Sequence, residues 1–146
     1  MKPTLIWGMK QSFRDYVFAA GGSQRVEEPA VLNEEICVFP IAGPSDADRI
    51  HRYSGILEFE AYLGMLRVRI ADPWVELRDG GPILSVSTGE SRIALAALDT
   101  TDPETEHGLL VWDDVPAALL ESGTFLFDHS YSPGTPLDPV SFSTPA

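Results

Sequence analysis

Residues 56–77 read ILEFEAYLGMLRVRIADPWVEL, and they carry the clearest β-strand pattern in the chain. Its second half alternates in the way that is typical of a half-buried strand. Leu66, Val68 and Ile70 fall on one face, and the two arginines between them fall on the other. The first half, ILEFE, shows a similar alternation. We therefore expect two neighbouring strands here.

The two halves of this stretch meet at residues 63–64, a Leu-Gly pair, which predicts a β-hairpin. In such a hairpin Glu58 and Glu60 come opposite Arg67 and Arg69. Cross-strand pairs of opposite charge contribute a few tenths of a kcal/mol each, on the order of 0.2–1. The charges therefore support the same register as the apolar residues.

The rest of the chain is predicted as short strands between turns, with two short helices. The first helix has Ser12 as its N-cap and Gly21 and Gly22 as its stop. The second is predicted over residues 114–123, between Asp114 as a cap and Gly123 as a stop. The further strands are predicted at residues 4–10, 34–42, 49–63, 82–89, 92–99, 108–114 and 124–127, followed by a Pro-rich tail at 131–142.

This pattern predicts a mainly β protein, an antiparallel β-sandwich or barrel-like fold with two short α-helices. The length of 146 residues suits one domain, so we expect a single domain over residues 1–146. The lone cysteine, Cys37, lies in the apolar run ICVFP and is expected to pack as a small hydrophobic residue.

Charge and composition exclude several classes of partner. The net charge of −12 argues against binding to nucleic acid or to anionic membrane surfaces, because both require basic patches. The sequence shows no signal-peptide pattern and no apolar run long enough for a membrane span, so we expect a cytoplasmic protein. Edge strands in a small β domain leave room for a homodimer.

A tyrosine in the first helix is the first candidate functional residue. Phe13, Tyr16, Val17 and Ala20 follow the spacing of one helix face, so Tyr16 is expected to point inward. A buried phenol needs a hydrogen-bond partner. It is therefore either a core tyrosine bonded to a backbone carbonyl or a phenol presented to a bound ligand or metal.

Common catalytic and cofactor motifs are absent from the sequence. There is no GxGxxG, no GxxxxGK[ST], no HExxH and no CxxCH. The histidines, His51, His107 and His129, lack the spacing of metal ligands in sequence. The residue pattern by itself leads to an acidic β-rich domain with an inward tyrosine.

Several stretches together resemble a known family, the haem-transport-associated (HtaA) domains of actinobacteria. Residues 5–17, LIWGMKQSFRDYV, resemble the family's opening signature, and residues 53–77 resemble its central segment. RIALAALD at residues 92–99 resembles a later core strand. VWDDVPAALLESGTFLF at 111–127 and YSPGTPLDPVSF at 131–142 resemble the closing segment, with its Y-x-x-G-x-x-L-D-P run.

The resemblance implies a single HtaA-like domain over residues 1–146 that binds ferric haem, with Tyr16 at the position of the axial iron ligand. Phe13 and Phe18 would pack on the porphyrin, and Tyr131 matches a late tyrosine of the family and is a second pocket candidate. Ferric iron accepts oxygen donors, and tyrosinate ligation of haem is known.

One position departs from the family pattern. Where the family has a histidine that supports the ligand tyrosine, this chain has Tyr62. A tyrosine can donate a hydrogen bond to a phenolate but cannot become cationic as imidazole can. We therefore expect weaker haem binding, or a pocket given to another small planar or apolar ligand.

Three functions are compatible with these observations. The first is a haem-binding module that uses Tyr16. The second is a cytoplasmic enzyme of specialised metabolism, which cyclises or isomerises an apolar substrate in a pocket lined by Tyr16, Tyr62 and Tyr131, with His51 or Arg14 as further candidates. The third is a structural or interaction domain without a ligand.

Overall fold

The hairpin predicted from residues 56–77 lies within one twelve-stranded antiparallel sheet in the computed structural model. The structure describes residues 2–43 and 49–146. The strands are β1 (Thr4–Trp7), β2 (Ser23–Glu27), β3 (Val31–Asn33), β4 (Ile36–Pro40), β5 (Ile50–Arg52), β6 (Ile56–Ala61), β7 (Leu66–Arg78), β8 (Gly81–Ser87), β9 (Arg92–Leu98), β10 (Glu104–Glu106), β11 (Leu109–Leu119) and β12 (Pro136–Pro145). Helix α1 spans Gln11–Ala19, and 3₁₀ segments span Tyr62–Gly64 and Glu121–Phe127.

The sheet curls until its two halves nearly meet. Its main path runs β2-β6-β7-β8-β9-β11-β12-β1-β4-β3, with β5 paired to β7 and β10 to β11. An isolated bridge joins Ile41 to Tyr53, and the Ser54 amide donates to the Pro40 carbonyl at 2.9 Å. These contacts link the end of β4 to the β5 side of the sheet. The predicted fold class, an antiparallel barrel-like β protein with two helices, is confirmed.

The β6–β7 hairpin has the register that the charges predict. Glu58 pairs with Arg69 and Glu60 with Arg67 in the ladder. The Arg67–Glu60 ion pair spans 3.2 Å and the Arg69–Glu58 pair 4.0 Å. Glu58 is also bound by Arg25 of β2 at 2.6 Å. The hairpin is thus joined to a third strand through the same carboxylate.

The barrel interior is filled by large side chains from most strands. Trp7, Phe39, Tyr53 and Phe59 are completely or almost completely buried. The Tyr53 hydroxyl donates to the Ser143 carbonyl at 2.8 Å, and burial raises the pKa of this phenol. Cys37 is fully buried among them, as expected, and burial raises the pKa of its thiol to about 12.

Helix α1 ends as predicted but begins differently. Gly21 has φ +74°, and the amides of Gly21 and Gly22 donate to the carbonyls of Phe18 and Val17, which is a Schellman motif. Ser12 is not the N-cap, because the helix begins at Gln11 after Lys10. The first helical amide is instead bound by the side chain of Asp138, which comes from β12.

The second helix lies later in the chain than predicted. Residues 114–119 belong to β11, where Val115, Ala117 and Leu119 are buried and pair with β12 or β9. The helical segment is the 3₁₀-helix Glu121–Phe127, which takes the place of the strand predicted at 124–127. An alternating pattern at 115–119 competes with the helix signals of Asp114 and Gly123, and two neighbouring strands decide in its favour.

Four further strands were not predicted, and one of them is β10, Glu104–Glu106, which pairs with β11. The Pro-rich tail contains β12, whose prolines lie at positions 136, 139 and 145, and β12 pairs with both β1 and β11. β2 and β3 are short strands at the two ends of the sheet. Their alternation is carried by mixed polar residues, which gives a weak signal in sequence.

Candidate functional site

An open cleft of about 430 Å³ lies beside α1 on the outside of the barrel. Three elements form its walls: α1, the turn between β6 and β7, and the segment that follows the 3₁₀-helix. We call it the tyrosine cleft. It is lined by Phe13, Tyr16, Tyr62, Met65, Leu66, Phe127, Asp128, Ser130 and Tyr131.

Two phenols face each other on one wall of the tyrosine cleft. The hydroxyls of Tyr16 and Tyr62 are hydrogen-bonded at 3.0 Å, and their rings lie 6.2 Å apart at a tilt of 56°. Both side chains are half exposed, at 50% for Tyr16 and 49% for Tyr62. The hydrogen bond shared with Tyr62 raises the pKa of Tyr16, since it stabilises the neutral phenol. The position predicted to support Tyr16 therefore contacts it directly.

The predicted inward orientation of Tyr16 is wrong. The buried side chains of α1 are Phe13, Arg14 and Val17, so the buried face is turned away from the tyrosine. On a helix Arg14 and Tyr16 flank the Phe13–Val17 line on opposite sides, and the sequence spacing fits burial of either flank. Burial of Arg14 leaves Tyr16 at the rim of the cleft rather than in the core.

Tyr62 reaches the cleft through a strained turn. Tyr62 and Leu63 have φ values of +53° and +56°, in the left-handed region that residues other than glycine rarely adopt. Gly64 follows with φ +88°. Such strain is found where the surrounding structure imposes it, often at functional positions. The turn leaves Leu63 and Met65 almost fully exposed beside the cleft.

Aromatic rings form the floor of the cleft. Phe13 is buried, and its ring meets those of Phe59, Phe127 and Tyr131 edge to face at 5.4, 5.7 and 6.4 Å. Tyr131 is half-buried, and burial raises the pKa of its phenol, although a hydrogen bond with Ser12 opposes this. The floor is therefore continuous with the barrel core through Phe13.

The structure brings together most of the predicted site residues. Tyr16, Tyr62, Tyr131 and Phe13 all line the tyrosine cleft. Phe18 does not, because it lies on another side of α1, where it is 38% exposed. That prediction of a porphyrin contact does not fit the geometry of the helix.

The two further candidates of the enzyme hypothesis lie elsewhere. His51 is buried beside Trp112 and Phe142, with ring centroids at 5.9 and 6.5 Å, and burial lowers its pKa. Arg14 is buried on the other flank of α1. Neither residue lines the tyrosine cleft, so the acid–base partners expected for an isomerase or cyclase are not assembled there.

A carboxylate from the last strand holds α1 in place. Asp138 accepts a hydrogen bond from the Gln11 amide at 3.0 Å and from Arg14 Nη1 at 2.7 Å. Arg14 Nη1 also donates to the Gly8 carbonyl at 2.6 Å. A Cβ at Gly8 would overlap the Arg14 guanidinium, so a larger residue here would displace Arg14 from its hydrogen bonds. The helix that carries Tyr16 is thereby tied to β12.

Sequence reasoning missed several residues of the cleft. Met65 and Leu66 follow the predicted hairpin turn. Because they are close to Tyr62 in sequence, they could have been predicted to line the same cleft. Phe127, Asp128 and Ser130 gave no such signal, because their position depends on the 3₁₀-helix and on the left-handed conformation of Asp128, with φ +53°.

The described part of the chain, residues 2–43 and 49–146, contains neither a cluster of typical metal ligands nor a membrane-spanning helix. No group of three or more His, Cys, Asp or Glu side chains there could hold a metal ion. None of its helices has the length and apolar character needed to cross a membrane.

Comparison with solved structures identifies this fold. The C-terminal domain of HtaA from Corynebacterium glutamicum matches with a TM-score of 0.81 and 23% identity, over 99% of this chain and 96% of that one. The haem-binding protein HtaB from the same organism matches with a TM-score of 0.77 and 16% identity, over 97% and 91%. A domain-swapped dimer of a histidine-to-alanine variant of the HtaA C-terminal domain matches with a TM-score of 0.69 and 22% identity, over 92% and 90%.

Sequence comparison assigns the family. A search of curated proteins gives no match to this chain. The family model described as Htaa, in contrast, matches residues 2–143, nearly the whole sequence. The chain therefore belongs to the HtaA family.

Proposed function

We propose that this domain binds ferric haem in the tyrosine cleft, with the Tyr16 phenolate as an axial ligand of the iron. The observation that carries the proposal is the Tyr16–Tyr62 pair, whose two phenolic oxygens lie 3.0 Å apart at the wall of an open aromatic cleft. The name of one structural neighbour, a haem-binding protein, supports the same ligand.

The lining of the cleft fits a flat aromatic ligand. Phe13, Phe127 and Tyr131 offer ring edges and faces on which an apolar macrocycle can pack. The volume of about 430 Å³ lies within the range of ligand pockets, on the order of 300–1,000 Å³. The cleft is open, so the charged edge of a ligand can stay in water.

Two cations stand beside this opening in an otherwise acidic protein. Lys10 Nζ lies 5.6 Å from the centre of the Tyr131 ring, and Arg67 Nη2 pairs with Glu60 next to the hairpin turn. Lys10 could meet a ligand carboxylate, whereas the charge of Arg67 is offset by Glu60.

Tyr62 has a supporting role in this proposal. A free phenol titrates near pH ~10, so Tyr16 must be held as the anion at neutral pH when it ligates iron. The positive charge of ferric iron supplies most of that stabilisation. The Tyr62 hydroxyl, already 3.0 Å from Tyr16, then donates a hydrogen bond to the phenolate.

Hemin titration tests the proposal. We expect a one-to-one shift of the Soret band with a phenolate-to-iron charge-transfer band. Tyr16→Phe should remove that band and weaken binding by about 10- to 100-fold, a loss of roughly 1.4–2.7 kcal/mol. The matched control is Tyr53→Phe, which removes a phenol that lies outside the cleft. The absence of any Soret shift in the unmodified protein would contradict the proposal.

A second substitution tests the role of Tyr62. Tyr62→His restores the residue that the family pattern has at this position and should tighten hemin binding, because imidazole can carry a positive charge beside the phenolate. Unchanged or weaker binding would count against the assigned role. The expected cytoplasmic location and the homodimer stay predictions, since none of these contacts bears on them.

A further inference from the structure

The distance between the Tyr16 and Tyr62 oxygens is suited to a second kind of binding, which does not involve haem. The two oxygens lie 3.0 Å apart. Adjacent ligand positions around a small hard cation with metal–oxygen bonds of about 2.0 Å are separated by about 2.8 Å in octahedral geometry. The phenol pair thus has the spacing of two neighbouring ligands of one metal ion, without rearrangement of the backbone.

We propose that the Tyr16–Tyr62 pair is also a bidentate site for a ferric ion that is not bound in a porphyrin. Both side chains are half exposed and line the same cleft, so an ion can approach the two oxygens together. Asp128 lines the cleft as well, and its carboxylate is a candidate for a further hard donor. The remaining positions would be filled by water or by a carboxylate chelator that brings the ion.

The donor chemistry selects ferric iron. Phenolate is a hard anionic oxygen donor, and only a strong Lewis acid displaces a phenol proton at neutral pH. When the ion binds, each O–H bond breaks, each proton passes to solvent or to the chelator, and each oxygen donates a lone pair to iron. No electron is transferred, so the step needs no oxidant or reductant.

The two uses of the pair differ in how many phenols they occupy. A porphyrin fills four positions around its iron, which leaves one position on each face. Two oxygens only 3.0 Å apart cannot both take that position, so haem would bind to one phenol and leave the other as its hydrogen-bond partner. A ferric ion without a porphyrin would bind both. The inference therefore goes beyond the proposed haem function and does not depend on it.

Titration of the full chain with ferric nitrilotriacetate tests this site. We expect a visible phenolate-to-iron charge-transfer band that saturates at one ion per chain. Tyr16→Phe and Tyr62→Phe should each lower the apparent affinity by at least about tenfold, because each removes one of the two ligands. Tyr53→Phe is the matched control, since its phenol is buried in the barrel.

Each outcome of that titration decides the inference. It is overturned if the unmodified protein gives no band, if either cleft variant retains the band at unchanged affinity, or if Tyr53→Phe loses it equally. Circular dichroism of each variant excludes loss of folding as the cause. A hemin titration in parallel separates the two proposals. A protein that fails to bind hemin can still give the ferric charge-transfer band, and a protein without that band can still bind hemin.

Discussion

Tyr53 and Tyr16 carry the same phenol in opposite surroundings, one in the filled barrel and one in the tyrosine cleft. Tyr53 is fully buried and donates to the backbone carbonyl of Ser143 at 2.8 Å. Tyr16 is half exposed, and its hydroxyl meets another side chain, that of Tyr62. Tyr53 is thus the core tyrosine bonded to a backbone carbonyl, whereas the Tyr16 hydroxyl is open to the cleft.

The barrel interior and the tyrosine cleft differ in the same way as these two tyrosines. The barrel interior is closed by strands and is filled with rings and aliphatic side chains. The cleft lies outside it, on one helix, one turn and one loop that lean on the core through Phe13. Substitutions in the two regions should therefore separate the free energy of unfolding from ligand binding.

Phe13→Ala should have the largest effect, because this ring belongs to both regions. Removal of a buried phenylalanine costs about 3–5 kcal/mol of unfolding free energy. The cleft floor is lost with it, so hemin affinity should fall as well. Urea denaturation and hemin titration measure the two effects. Phe18→Ala is the control on the same helix and should cost far less, because Phe18 is 38% exposed. Equal losses in the two variants would contradict the placement of Phe13.

Asp138→Ala should have the next largest effect on stability. It removes the acceptor of the Gln11 amide and the nearer ion-pair partner of the buried Arg14, which keeps a longer contact with Glu35 at 3.9 Å. Since the Asp138 side chain is 25% exposed, we expect a loss of about 2–4 kcal/mol, somewhat below that of a fully buried pair. Denaturation with urea measures it. A change below about 0.5 kcal/mol, the usual size for a surface substitution, would argue against the anchoring role.

Tyr53→Phe compared with Tyr16→Phe gives the sharpest contrast at moderate size. The first leaves a buried carbonyl without its donor and should cost about 1–2 kcal/mol of stability, with unchanged hemin affinity. The second removes an exposed hydroxyl and should change stability by less than about 0.5 kcal/mol, with weakened hemin binding. Thermal unfolding and hemin titration of both variants measure this contrast. A larger stability loss in Tyr16→Phe, or a larger loss of hemin affinity in Tyr53→Phe, would contradict the roles assigned to the two tyrosines.

The smallest predicted effect concerns Cys37 and alkaline pH. The pKa of its buried thiol is raised to about 12, whereas an unfolded thiol titrates near pH ~8.5. The folded state holds the proton more tightly, so this contribution to stability is complete below the unfolded pKa and is lost as the pH rises toward the folded one. At pH 9 the loss should be less than about 1 kcal/mol. Urea denaturation at pH 7, 8 and 9 measures it, and Cys37→Ala should show a shallower decline. Equal declines in both chains would contradict it.

Local alternation and charge were sufficient for the middle of the chain. The apolar residues of β7 and the two arginines between them determine the faces of the strand, and the Leu63-Gly64 pair determines where it turns. Both signals come from residues close in sequence, so the register of the β6–β7 hairpin and its Glu–Arg pairs could be predicted. The burial of Cys37 within an apolar run could be predicted for the same reason.

Elsewhere two local signals competed, and distant partners decided between them. Residues 114–119 carry helix-end residues as well as an alternating apolar pattern, and they became strand because β9 and β12 lie on either side. The cap of α1 comes from Asp138, far away in sequence, so no local motif could reveal it.

Residue patterns alone were enough to predict an antiparallel β-rich chain with its central hairpin, and family resemblance added the set of tyrosines that meet. Packing between distant parts of the chain selects the flank of α1 that is buried, and therefore leaves Tyr16 open to the cleft. Periodicity defines a helix face only to within a flank, whereas the partly buried Arg14–Asp138 pair, whose members lie 124 positions apart in sequence, sets the rotation of the helix.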